Sequence, residues 1–208
     1  FFRSLGRTLI NNKFFGRKRA EPARPIPPGQ YLEDGFPVLS AGPTQRVDKA
    51  TWNFSIEIGD DTVGTWTWDE LNALPQTDLH TDLHCVTKWS KQDTDWRGVT
   101  IDALLANAGI EAPVGFVMAS SDGGYTTNVP SADVIDGKGL LVHTYDGEPL
   151  EAEHGGPVRL LIPHLYLWKS AKWIRSLKFI DKDEPGFWER YGYHMYGDPW
   201  REQRYTND

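Results

Sequence analysis

A sheet-dominated α+β fold with short helices is predicted by three features of the sequence. Apolar and polar residues alternate with period two in several segments, as they do in half-buried strands. The stretches with helical spacing are short and are bounded by capping and stopping residues. Strand segments outnumber helical ones along the chain, so the core is expected to be built mainly from sheet.

Taken in order, Trp52, Phe54, Ile56 and Ile58 alternate with Asn53, Ser55 and Glu57, and Gly59 closes this strand. Thr67 with Glu70 three residues on forms a capping box, Leu71 and Leu74 give the following helix its apolar face, and Pro75 stops it. A second helix is expected from Ile101 to Ala108, with Gly109 at its C-terminal end. Phe116 to Ser120 reads as a strand running into the turn-prone Asp122-Gly123-Gly124. Leu140 to Tyr145 reads as another, turning at Asp146-Gly147. Val158 to Ile162 and Trp173 to Ile180 complete the set.

The 208 residues, 39% of them hydrophobic, suffice for one substantial core with appended arms. A formal net charge of -7 argues against a general nucleic-acid binder. No apolar run approaches the roughly 18–20 residues needed to cross a bilayer. Phe1 to Ala20 is basic and aromatic, but its charges lead into Glu21-Pro22-Ala23-Arg24-Pro25 rather than into an apolar stretch, so no export signal is read and a cytoplasmic setting is expected. A chain that opens on Phe1 leaves an upstream segment open. Four prolines between Pro22 and Gly29 suit an extended linker. The expected organisation is a basic arm and linker over 1–28, a globular domain over 29–181, and an aromatic tail over 182–208 wrapping it.

Cys85 is the sole cysteine, so no internal disulfide holds the fold. By count alone it could be a buried apolar filler. Its setting is more informative. Leu79, Thr81, Leu83 and Cys85 fall on one face of an alternating segment, and Asp78, His80, Asp82 and His84 fall on the other. The sulfur then points inward. His80 and His84 would share one zinc ion only on a helix; on a strand they stand about 13 Å apart, so a solvated polar face is the expectation for both. A cysteine-nucleophile enzyme would draw its base from His84, His154 or His164, and no spacing singles one out.

The stretch from His154 to Ile180 holds no acidic residue but carries Arg159, Lys169, Lys172, Arg175 and Lys178. It opens with His154-Gly155-Gly156-Pro157-Val158-Arg159, where paired glycines allow close backbone approach and Arg159 offers a fork of donors suited to phosphate. An anion site and an exposed basic strand face both account for it.

Together these segments resemble the molybdopterin-binding domain of the sulfite oxidase family, and most closely its minimal members. The resemblance rests on His84-Cys85-Val86, Trp89-Ser90, Trp96-x-Gly98, His154-Gly155-Gly156-Pro157-Val158-Arg159, Leu160-Leu161-Ile162-Pro163 and Lys169-Ser170-Ala171-Lys172-Trp173. It covers roughly Gly29 to Asp181. It implies a sheet-dominated domain holding one molybdenum–molybdopterin cofactor, with Cys85 as the protein ligand to the metal. Arg159, Ser170, Ala171 and Lys172 would meet the phosphate end of the pterin, His154 would lie against the cofactor, and Ser121 would touch it. Phe36 and Val38 belong to the segment Gly35 to Ser40, which stands where relatives have a cofactor-contacting loop. Lys88 and His84 are candidate neighbours of the substrate. The chain has Lys88 but no arginine between Cys85 and Arg97, so sulfite is not the expected substrate. An oxygen-atom-transfer oxidoreductase, acting on a sulfoxide-like molecule and served by an external electron-transfer protein or membrane redox partner, is expected. The basic N-terminal arm and the aromatic tail are the two candidate docking surfaces for that partner. A cofactor carrier or storage protein without turnover is the alternative, and a cofactor-free interaction module the third.

Overall fold

A computed structural model describes residues 21–208; the arm Phe1 to Ala20 lies outside the described residues. The described strands and helices begin with β1 (Tyr31–Leu32), β2 (Asn53–Ile58), β3 (Asp61–Thr67), α1 (Trp68–Ala73), β4 (Thr77–His84) and β5 (Trp89–Thr100). They continue with α2 (Ile101–Ala108), β6 (Phe116–Ser121), β7 (Thr126–Pro130), β8 (Leu140–Tyr145) and β9 (Glu148–Pro149). The last are β10 (Arg159–Leu161), β11 (Ile174–Ile180) and α3 (Phe187–Arg190). The fold is the expected sheet-dominated α+β arrangement with short helices.

The strands form two sheets. One orders β3-β2-β11-β6-β7; the other orders β1-β5-β8-β10, with β4 also on β5 and β9 on β8. Local chemistry sets the helix ends. Thr67 and Glu70 make the reciprocal capping box at the start of α1. Gly109 ends α2 in the left-handed conformation at φ 72°.

Alternation along the strands divides the interior in two. Leu141 and Leu160 join Trp52, Phe54, Val117, Leu177 and the α2 residues Ile101 and Leu104 in the larger core. Their neighbours Leu140, Val142 and Leu161 point to the opposite face of the six-stranded sheet. There they join Leu83, Cys85, Trp89, Trp96 and Trp168 in a second cluster. Gly98 is what lets β5 and β8 approach: a Cβ there would strike the Leu141 carbonyl oxygen and come within 2.6 Å of the Val142 Cα.

Five strands, β1, β3, β5, β7 and β9, have no counterpart in the sequence reading. Of the two longest, β3 was hidden by its polar residues and by Gly64, and the 12-residue β5 by its run of polar residues Lys91, Gln92, Asp93 and Asp95.

Candidate active site

The β4–β5 hairpin builds the site around its turn. Lys88 N–H donates to the Cys85 carbonyl at 3.0 Å, and Cys85 N–H donates to the Trp89 carbonyl at 2.9 Å. Lys88 closes the turn at φ 75°, a conformation unusual for a residue with a side chain. Outside it, Gln30 Nε2 donates to the Cys85 carbonyl at 3.1 Å and Tyr31 N–H to the Lys88 carbonyl at 2.8 Å, so β1 braces the turn. The Cys85 side chain is 6% exposed and its Sγ accepts from Thr87 Oγ1 at 3.2 Å. Burial raises the thiol's pKa, opposed by the hydrogen bonds from Thr87 and Val86 and by the charge of Lys172.

His84 departs from its expected place on a solvated face. It is buried, its Nδ1 lies 2.8 Å from Ser90 Oγ, and desolvation lowers its pKa. Two features bury it: a register irregularity between Thr81 and Leu83 interrupts the simple alternation of β4, and the Trp200 ring covers it at 6.3 Å. His80 stays exposed, between Asp93 and Asp95.

Two cations from the basic stretch converge on the same region. Arg159 is 2% exposed, donating through Nη1 to the His154 carbonyl at 2.9 Å and through Nη2 to the Ser170 carbonyl at 2.7 Å. Among the described residues no carboxylate pairs with it, and burial pulls its pKa down to about 10. Lys172 Nζ donates to the carbonyls of Glu153 at 2.6 Å and Leu39 at 2.8 Å and to Ser40 Oγ at 3.1 Å, which ties down the 36–40 segment. Burial, then repulsion from Arg159, lowers its pKa to about 8.

A cavity of about 360 Å³ joins these groups: Phe36, Cys85, Arg159, Ser170 and Lys172 all line it. The other predicted residues stand back from its wall. Val38 is 42% exposed. His154 stacks on Phe36 at 4.1 Å and holds Arg159 through its carbonyl, and its buried Nδ1 has no hydrogen-bond partner among the described residues. Ser121 Oγ is likewise buried without a partner, next to the lining residue Asp122. Ala171 packs into the larger core, its carbonyl accepting from Leu160 N–H at 2.8 Å. Lys88 is exposed in the turn and does not line the cavity. The sequence reading missed the aromatic wall formed by Trp168, Phe187, Trp188 and Tyr193. The tail's density of aromatic residues was visible, but nothing in it pointed toward Cys85.

The donor set has a definite chemistry. A lone thiol suits a soft metal, and two desolvated cations that form no ion pair with a carboxylate among the described residues suit a phosphate. Comparison with known proteins decides the class, because residues 41–188 match the model of the oxidoreductase molybdopterin binding domain. The chain belongs to that family. It is 40% identical to the uncharacterized oxidoreductase YuiH of Bacillus subtilis over 94% of this chain and 100% of that protein. It is 30% identical to a putative protein-methionine-sulfoxide reductase subunit, YedZ1, of Azospira oryzae, over 84% of this chain and 63% of that one. Human mitochondrial sulfite oxidase is 30% identical over 60% of this chain and 28% of its own length. The chain thus spans less than two thirds of the latter two proteins. The sulfane dehydrogenase SoxCD of Paracoccus pantotrophus shares the fold, with a TM-score of 0.60 at 22% identity over 72% of this chain and 42% of that one. This family member is therefore an oxidoreductase, and its cofactor is molybdopterin carrying molybdenum. The cavity's thiol, its uncompensated cations and the orphaned polar atoms of Ser121 and His154 fit that group. No helix among the described residues is long and apolar enough to cross a membrane.

Proposed function

We propose that the chain transfers an oxygen atom to or from a small neutral molecule, with the Cys85 thiolate as the protein ligand to molybdenum. One observation carries this reading: a single cavity is lined by the chain's sole thiol together with two desolvated cations, Arg159 and the half-buried Lys172, neither of which forms an ion pair with a carboxylate among the described residues. In this reading the bound cofactor supplies a metal centre that changes oxidation state by two electrons. Arg159 and Lys172 hold the phosphate end, each gaining the anion that burial has denied it. Ser170, already fixed through its hydroxyl to Ile162 N–H at 2.9 Å, keeps the Arg159 fork in place. Thr87 holds the sulfur by its hydroxyl and orients it. Phe36, stacked on His154, closes the cavity against water on one side. Arg159 and Lys172 are committed to the phosphate, and the rest of the described wall offers aromatic, aliphatic and small polar residues but no further cation, so a neutral oxygen-bearing substrate such as a sulfoxide suits it better than an anion. Electrons are exchanged with an external redox partner.

The test is metal analysis and turnover on the protein purified from a host that makes the cofactor. Near-stoichiometric molybdenum and reduction of a sulfoxide or N-oxide by a reduced viologen dye are expected, with activity lost in Cys85→Ser. A metal-loaded protein inert on every donor–acceptor pair would instead favour carriage, and protein without molybdenum would overturn both readings.

A further inference from the structure

The turn between β4 and β5 does more than present Cys85 to the cavity. Lys88 N–H and Gln30 Nε2 both donate to the Cys85 carbonyl, at 3.0 Å and 3.1 Å, and so draw the chain into a tight loop over residues 85–88. Lys88 takes the positive φ of 75° that closes this loop. The backbone N–H groups of Val86 and Thr87 then turn back to the Cys85 sulfur. The Thr87 hydroxyl joins them, donating to Sγ at 3.2 Å. Three donors from the next two residues thus meet one sulfur, a concave arrangement of the kind that suits an anion. Two of these donors belong to the backbone and would persist with almost any side chain at these positions. The third is supplied by the side chain of Thr87, which lines the cavity beside Cys85.

A thiolate bound to a metal shares its electrons with that metal. Reduction of the metal leaves more negative charge on the sulfur, and a donor aimed at the sulfur then bonds more strongly. Hydrogen bonds to ligating sulfur are therefore one of a protein's controls over reduction potential. We propose that Thr87 is a positioning residue that raises the reduction potential of the metal centre, its hydroxyl donating to the Cys85 sulfur and favouring the reduced state. Thr87 keeps its proton throughout, and the electrons come from the external redox partner. Its effect is to make the centre easier for a partner of given potential to reduce. The inference rests on the reading of Cys85 as the ligand to molybdenum.

Thr87→Val keeps the size and branching of the side chain and removes the hydroxyl, whereas Thr87→Ser keeps the hydroxyl and removes the methyl group. Thr87 is exposed, so neither change opens a gap in the core. Each molybdenum-loaded protein is titrated with redox mediators while the Mo(V) electron paramagnetic resonance signal is followed. In Thr87→Val each one-electron equilibrium should shift about fivefold toward the oxidised side, a potential lower by about 40 mV. Thr87→Ser should hold the wild-type potential, which would identify the hydroxyl rather than the shape as the cause. An unshifted potential in Thr87→Val, or equal shifts in both variants, overturns the proposal. Cys85→Ser tests the reading beneath it. A Mo(V) signal unchanged in Cys85→Ser, or wild type without molybdenum, would remove the ligand reading and the proposal together. A changed signal in Cys85→Ser with an unshifted Thr87→Val potential removes the proposal alone.

Discussion

Lys172 shows how a single residue can be tuned by its surroundings. Its pKa of about 8, against an ordinary value of 10.5, means that the folded cofactor-free protein has released a proton that the unfolded chain still holds between those two pH values. Stability rises with pH wherever the unfolded state binds more protons. The Lys172 contribution to stability therefore grows as pH climbs from 8 toward 10.5, and the cost of its buried charge is fully felt below 8. Urea midpoints of cofactor-free wild type and Lys172→Met should converge in slope below pH 8 and diverge above it, with wild type gaining relative to the variant; parallel profiles through pH 10 would contradict this. The residue scale is also where the sequence was most legible. Cys85 was marked by the inward row of Leu79, Thr81 and Leu83, and Arg159 by the paired glycines before it. The burial of His84 was not legible, because it depends on Trp200, a ring that sequence neighbours cannot reveal. Tyr193 was invisible for the same reason: aromatic residues in a tail without periodicity carry no direction.

At the level of elements, the six-stranded sheet separates the two interiors, and its integrity depends on close strand approach at one point. Gly98 lies opposite Val142, where the β5–β8 register shifts. Any side chain there meets backbone rather than a flexible neighbour. Gly98→Ala should destabilise the protein by about 3 kcal/mol or more, read as the change in urea midpoint, and should lower the molybdenum content by disturbing the hairpin that carries Cys85. A loss under about 1 kcal/mol would show that the two strands can part without cost. The helices α1 and α2 were readable from their caps, since Thr67, Glu70 and Gly109 act locally, whereas the short α3 has no side-chain cap to announce it. β5 was not readable as one strand. Its pairing with β1, β4 and β8 at different points along its length, rather than its own alternation, is what holds it extended.

Over the whole molecule, the segment from Phe187 to Tyr193 lines one side of the cavity, and one buried ion pair holds it there. Glu189 Oε1 accepts from Lys169 Nζ at 2.6 Å, Trp168 Nε1 at 2.9 Å and Thr127 Oγ1 at 3.1 Å, with both charged side chains fully buried. Removing one partner leaves the other charge stranded in the interior. Glu189→Gln should therefore cost about 3–5 kcal/mol in denaturant unfolding, and Lys169→Met combined with Glu189→Leu should recover part of that loss; a double variant as unstable as the sum of the two singles would show no coupling. The same anchor connects the tail to the site, since Trp168 both bonds Glu189 and lines the cavity with Cys85. The central claim is that this assembly brings the Cys85 sulfur to molybdenum. X-ray absorption at the molybdenum edge, compared between wild type and a Cys85→Ser protein that retains its pterin, measures that directly. The account predicts one fewer sulfur neighbour around the metal in the variant; an unchanged sulfur count would contradict it.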